Sequence, residues 1–277
     1  MRAAIDIGSN SIRLALPNGE SISTITKLAD GIQATGRLSP AGIAATLDAL
    51  DRYAKSCREH GCDEVIPFAT EAVRKAADGA EFIKTVKEKT GLEIKLLSPE
   101  QEAALALFGA DKPDGAVTVC DLGGGSLEVI SSPDGKTPDY IKSLPLGAVV
   151  MKNRYSGNYR RAIDEMPSLV EEYGAVPRRA VVMSGGSACT IAAGILNLRV
   201  YDKKAVTTKF TARELDDFMP ICMSERLSTL RPVCEKRADT LAYGAIVIQA
   251  LLNHLHATEF YVSDAGNLEA VMKGFKL

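Results

Sequence analysis

Asp6-Ile7-Gly8-Ser9-Asn10-Ser11-Ile12 aligns without a gap to Asp121-Leu122-Gly123-Gly124-Gly125-Ser126-Leu127. The aspartate, the first glycine and the serine coincide. In both copies an apolar run ends, a turn of small residues follows, and a second apolar run begins, which reads as strand, turn, strand. Around the first copy, residues 3–6, 11–16 and 21–26 read as a three-stranded meander with a turn at Pro17-Asn18-Gly19. Around the second, residues 116–121, 127–131 and 140–144 repeat that order with a turn at Pro133-Asp134-Gly135. A short match accompanied by the same order of elements indicates duplication, and with it two related lobes.

Working outward, Ser39-Pro40 supplies an N-cap and a first-turn proline. Ile43, Leu47, Leu50, Ala54 and Cys57 follow at helical spacing until Gly61 closes the pattern. Residues 65–69 read as a strand, Asp78 as the cap of a helix ending near Gly91, residues 93–97 as a strand, and Ser98-Pro99 as the start of another helix. The breakers Asp111-Lys112-Pro113-Asp114-Gly115 then mark a domain boundary. The expected domains are therefore residues 1–112 and 113–277, both α/β. In the second, a strand at 180–184 passes through Gly185-Gly186 into a helix, Thr211 and Glu214 form a capping box, residues 235–256 read as one long helix, and 260–262 as a last strand.

At 277 residues the chain is long for one domain and comfortable for two. With 46% apolar and 25% charged residues it is an ordinary globular sequence. The 33 basic and 35 acidic residues nearly cancel, so no global field favours nucleic acid or an anionic membrane, and an anion would have to be bound locally. The N-terminus shows no export signal and no stretch is long and apolar enough to span a bilayer, so a cytoplasmic location is expected. The six cysteines read as reduced thiols, and Cys57-x2-His60-x-Cys62 lacks a second ligand pair for zinc.

Each Asp-x-Gly turn can expose backbone N–H groups, the arrangement that cradles a phosphate anion. Ser9, Asn10, Ser11 and Ser126 add neutral donors. Gly123-Gly124-Gly125 alone would read as a tight hairpin turn; its repeated setting favours the phosphate reading. Asp6 and Asp121 would repel a phosphate, so their plausible task is to hold Mg²⁺ or its water shell beside it. Ser184-Gly185-Gly186-Ser187 admits either a phosphate or nucleotide at a helix N-terminus or close packing of strand on helix. Glu100 and Glu102 stand in an acidic first turn, where position alone favours complementing the helix dipole. Arg74 is equally a solvated helix residue or a phosphate clamp.

Taken together, the two glycine turns, Leu28-Ala29-Asp30-Gly31, Ala69-Thr70-Glu71-Ala72-Val73-Arg74, Ser98-Pro99-Glu100-Gln101-Glu102-Ala103, Leu144-Pro145-Leu146-Gly147, Ser184-Gly185-Gly186, Glu235-Lys236-Arg237-Ala238-Asp239 and Val262-Ser263-Asp264-Ala265-Gly266 resemble the exopolyphosphatase and guanosine pentaphosphate phosphohydrolase (Ppx/GppA) family. The resemblance implies a duplicated ribonuclease H-like fold of the actin/Hsp70/sugar-kinase superfamily, with a cleft between the domains. It implies removal of the terminal phosphate of polyphosphate or guanosine pentaphosphate by water, with Mg²⁺ or Mn²⁺. It places the catalytic glutamate at Glu102, the acidic residue closing the glycine loop at Glu128, the loop aspartate at Asp121 and a phosphate-contacting arginine at Arg74, with Glu102 and Glu128 together as the catalytic pair that supplies the base and orients the water. Phosphate contacts would come from Ser9–Ser11, Gly123, Gly124, Gly125, Ser126, Gly185 and Gly186, and a homodimer is compatible with it.

Two departures stand out. Ala104 follows Glu102-Ala103 where the family usually has arginine, and Leu127 precedes Glu128 where threonine is common. The sequence also lacks the helical extension of long polyphosphatases, so processive action on long chains is not expected. Two rivals remain at this stage. One is a kinase or ATPase of the same superfamily, and the other is a non-catalytic sensor of polyphosphate or guanosine tetra- and pentaphosphate.

Overall fold

The computed structural model describes residues 1–277 apart from the side chain of Gln33. The first half runs β1 (Arg2–Ile7), β2 (Ser11–Ala15), β3 (Ser21–Ile25), α1 (Ile32–Thr35), α2 (Pro40–Glu59), β4 (Glu64–Ala69), α3 (Glu71–Lys75), α4 (Gly79–Thr90), β5 (Lys95–Leu96) and α5 (Pro99–Gly109). Its sheet has the order β3-β2-β1-β4-β5, with β1 antiparallel to β2 and parallel to β4. Central β1 is buried from Ala3 to Ile7, as a strand covered on both faces should be, whereas edge β3 alternates exposed and half-buried residues.

The second half runs β6 (Val117–Leu122), β7 (Leu127–Ser132), β8 (Tyr140–Leu144), α6 (Ala148–Tyr155), α7 (Tyr159–Val170), β9 (Ala180–Ser184), α8 (Gly186–Ile195), α9 (Lys203–Val206), β10 (Lys209–Thr211), α10 (Ala212–Cys222), α11 (Leu227–Leu230), α12 (Leu241–His254) and β11 (Glu259–Ser263), and α13 (Asn267–Met272) ends the chain. The sheet order is β10-β11-β9-β6-β7-β8. Read from β8, it repeats the first sheet: a meander, then parallel strands β9 and β11, with β10 added at the edge. Both sheets carry helices, so the expected α/β duplication is present.

The chain divides into one unit of Met1–Gly109 with Asn267–Leu277 and another of Ala110–Gly266. The expected boundary lay three residues later and kept the C-terminus with the second domain. The terminal segment joins the first unit because Leu268, Ala270 and Val271 pack with Ala4, Phe68, Leu97 and Leu105 in one apolar cluster. That cluster includes strand β1, so moving α13 away would expose the centre of the first sheet.

Local expectations hold where the signal is chemical. Ser39 accepts from Gly42 N–H, Pro40 opens α2, and the buried face Thr46, Ala49, Leu50, Tyr53, Ala54 and Cys57 follows the helical repeat. Thr211 and Glu214 form the capping box. Two expectations change. Asp78 stands at the cap of α4 but makes no capping bond there. Its carboxylate instead accepts from Leu38 N–H at 3.0 Å and pairs with Arg37 at 3.5 Å. The long helix expected over 235–256 is broken: Pro232–Arg237 is 3-10, and α12 starts only at Leu241. Ala238 and Thr240 N–H reach back three residues, to Glu235 and Arg237, which tightens the chain into a turn. No described helix is long and apolar enough to cross a membrane.

Candidate phosphate-binding site

In both units the turn that leaves the first strand is built the same way. Ile7 pairs with Ile12 and Leu122 with Leu127, leaving a four-residue loop in each case. Gly8 N–H donates to Ser11 O at 3.1 Å, and Gly123 N–H to Ser126 O at 3.0 Å. The loop carbonyls are then tied back. Ser9 O accepts from Ala29 N–H, and Asn10 O from Thr26 and Lys27 N–H. In the second unit the N-terminus of α6 does this work: Gly123 O accepts from Ala148, Gly124 O from Val149 and Val150, and Gly125 O from Gly147. With the carbonyls held on one side, the N–H groups of Ser9, Asn10, Gly124 and Gly125 have no hydrogen-bond partner among the described residues. Such a row of amides is a concave donor surface suited to an anion.

Two further glycines fix the second turn. A Cβ on Gly147 would overlap the backbone of Gly124 and Gly125. Gly185, at φ 92, lies against Leu122 O and the Asp121 carboxylate, where no side chain fits. Gly185 therefore allows the start of α8 to pack closely on the end of β6, while Gly186 leaves room for the Arg237 side chain.

The carboxylates are treated differently in the two copies. Asp6, 5% exposed, is bonded across the strand pair by Arg13 Nη2 at 2.6 Å. Its expected metal role meets a partner that already neutralises it. Asp121 faces Glu128 across the corresponding pair and accepts from Ser184 Oγ at 3.1 Å. Glu128 accepts from Ser143 Oγ at 2.6 Å. Burial, followed by the Asp121 charge, pushes the neighbouring Cys120 thiol up. Two carboxylates directly opposite each other repel, a cost a cation relieves. No group of three or more His, Cys, Asp or Glu side chains that could hold a metal occurs among the described residues. The all-oxygen set at Asp121 and Glu128 suits Mg²⁺ bound with water and phosphate oxygens completing its shell.

Glu102 sits one turn into α5. Ser98 caps that helix: its Oγ accepts from Gln101 N–H at 3.2 Å, and its own N–H donates to Gln101 Oε1 at 2.9 Å. Ser98 also donates to Glu100, and this bond is the main reason the Glu100 carboxyl is held below its ordinary value. Exposed Glu100 is thus the residue tied into the cap. Glu102, with a side chain 13% exposed, lies 3.4 Å from Arg74 Nη1, which also donates to Leu97 O. Arg74 orients a glutamate as well as offering a cation. The loop 8–11, the start of α3 and the start of α5 all leave the same end of the parallel strands β1, β4 and β5, the end where ligands bind in such sheets.

Sequence reasoning gave no individual role to Arg13, Gly147 or Arg237. Arg13 could have been found from the hairpin register, which sets it opposite Asp6. Arg237 shows itself only in three dimensions, its guanidinium lying over Gly186 where a Cβ would collide with it.

The sequence profile of the Ppx/GppA phosphatase family matches residues 19–275. The chain is 31% identical over 157 residues to exopolyphosphatase 1 of Mycobacterium bovis, a match covering 52% of this chain and 45% of that protein. It thus spans less than half the length of that relative. To exopolyphosphatase 2 of Mycobacterium tuberculosis it is 28% identical, covering 91% of this chain and 90% of the other. A crystal structure of the Aquifex aeolicus Ppx/GppA family member superposes with a TM-score of 0.82 at 28% identity, covering 98% and 95% of the two chains.

Proposed function

The chain belongs to the Ppx/GppA phosphatase family, and on that premise we propose that it is a phosphoanhydride hydrolase that removes the terminal phosphate of inorganic polyphosphate, with guanosine pentaphosphate as the alternative substrate. The observation that carries the reading is the pair of equivalent turns whose carbonyls are tied back and whose amides are left to meet an anion. In the proposal each turn serves as a phosphate-binding surface, Ser9, Asn10 and Ser11 forming that of the first unit and Gly123, Gly124, Gly125 and Ser126 that of the second.

Phosphoryl transfer needs an in-line water, charge neutralisation and a placed base, and little covalent help. Glu102 is the proposed base: Arg74 fixes its carboxylate, which accepts a proton from the attacking water. Arg74 itself has its Nη1 donor engaged, so a phosphate contact would use its remaining donors. The amides of both turns stabilise charge that develops on the transferred group. Asp121, with Glu128 beside it, would hold Mg²⁺ or Mn²⁺. When bound, the cation supplies charge neutralisation at the phosphate oxygens. A cytoplasmic setting fits these polyanionic substrates.

The test is phosphate release with Mg²⁺ from polyphosphates of graded length, guanosine pentaphosphate and ATP. Release from polyphosphate exceeding that from ATP supports the proposal. Faster ATP hydrolysis would point to the kinase or ATPase reading, and tight binding with no phosphate release to a sensor.

A further inference from the structure

Helix α2 ends in two interlocking backbone bonds. Cys62 N–H donates to Cys57 O at 2.9 Å and Gly61 N–H to Arg58 O at 3.0 Å, with Gly61 in the left-handed region at φ 63. In this helix ending the residue after the glycine folds back onto the residue one turn earlier, a contact usually made by two apolar side chains. Here both positions are cysteines. Cys57 is 1% exposed, Cys62 is half-buried, and the Cys62 N–H bond to Cys57 O holds the two at one helix ending. His60, between them in sequence, is turned elsewhere: its Nδ1 lies 2.8 Å from Ser56 O and its Nε2 3.9 Å from the Glu20 carboxylate. What the backbone brings together is therefore the two cysteines, with His60 engaged elsewhere.

We propose that Cys57 and Cys62 form an oxidation site, a dithiol that hydroperoxides convert to a disulfide within the folded protein. The Cys62 thiolate attacks one peroxide oxygen, the O–O bond breaks, and the departing hydroxide or alkoxide takes up a proton, leaving Cys62 as a sulfenic acid. The Cys57 sulfur then attacks the Cys62 sulfur. The S–O bond breaks, and the hydroxyl leaves as water with the Cys57 proton. Two thiols are oxidised and one hydroperoxide is reduced. Their order follows from exposure: Cys62 reaches solvent, while burial holds the Cys57 thiol protonated, its pKa pushed up to about 11. Cys57 thus acts only once its neighbour is oxidised. Cys222 and Cys234 also lie close together, but at 2% and 0% exposure they are closed to a dissolved oxidant.

The full chain, reduced and then treated with excess hydrogen peroxide, is quenched, denatured and alkylated, and its bridged peptides are mapped by mass. The expected result is loss of two of the six thiols, a peptide linking 57 to 62, and recovery of both thiols with dithiothreitol. Cys57→Ser should stop at a sulfenic acid on Cys62 that dimedone traps, and Cys62→Ser should lose no thiols. Six intact thiols in the treated wild type, a bridge mapping to 222 and 234, or the same two-thiol loss in Cys62→Ser would each overturn the proposal.

Discussion

The two strand-turn-strand copies share register, turn hydrogen bond and tethered carbonyls, yet differ at the acidic residue that precedes the turn. In the first unit Asp6 faces Arg13 and is neutralised; in the second Asp121 faces Glu128, so two acids stand side by side. One copy sets an arginine opposite its aspartate and the other a glutamate, although their backbones are alike. On the proposed function the backbone would provide the phosphate-binding shape, and this cross-strand difference would assign the metal to the second unit and the base to the first.

The largest test of this division compares the two glutamates. Glu102→Gln should lower phosphate release by about 10²–10⁴ while ligand still binds, because the amide keeps size and polarity but accepts no proton. Glu128→Gln should act mainly by raising the Mg²⁺ concentration needed. Near-normal turnover in Glu102→Gln with collapse in Glu128→Gln would put the base in the second unit.

Gly147→Ala places a methyl group against the Gly124–Gly125 backbone. An overpacking cost of about 1–3 kcal/mol is expected, together with loss of tripolyphosphate binding, read by denaturant melts and calorimetric titration. Unchanged binding would mean the second turn does not carry the phosphate.

Arg13→Leu should destabilise the first unit by about 1–2 kcal/mol: Asp6 loses its partner, and the 41% exposure of the Arg13 side chain lets solvent compensate part of the loss. Glu128→Gln, by contrast, should leave stability unchanged or raised, since it removes a like-charge contact. Equal losses in both variants would erase the electrostatic difference between the copies.

The smallest effect lies in the hairpins that follow. Asn18 Oδ1 accepts from Glu20 N–H, and Asp134 Oδ1 from Lys136 and Thr137 N–H. The Thr137 and Lys136 amides and the Ser132 hydroxyl hold the Asp134 carboxyl down at about 2. Its contribution is therefore complete above the ordinary carboxylate pKa of about 3.9 and is lost as pH falls through about 2. Amide exchange at Lys136 and Thr137 should quicken across that window while Glu20 stays unaffected. Parallel behaviour of the two turns would contradict the assignment.

The duplication was legible because both copies are written in turn chemistry, Asp-x-Gly and then Pro-Asn-Gly or Pro-Asp-Gly, which acts locally. What stayed hidden depends on packing. Position alone made Glu102 and Glu100 alike, both acids in a first turn, and only the fold sets Arg74 beside one and the Ser98 hydroxyl on the other. Thr240, bonded back to Arg237, breaks a stretch whose apolar periodicity looked continuous. Six-residue α13 carries too short a pattern to show which unit it joins, a choice made by the apolar cluster with Phe68 and Leu105.

The most direct measurement is the response of individual backbone amides to tripolyphosphate and Mg²⁺, followed by NMR on protein labelled with ¹⁵N. The account predicts that Ser9, Asn10, Gly124 and Gly125 amide resonances shift together, along one binding curve, with Arg13 and Asp6 shifting little. Saturable binding that leaves the amides of both turns unmoved would contradict it.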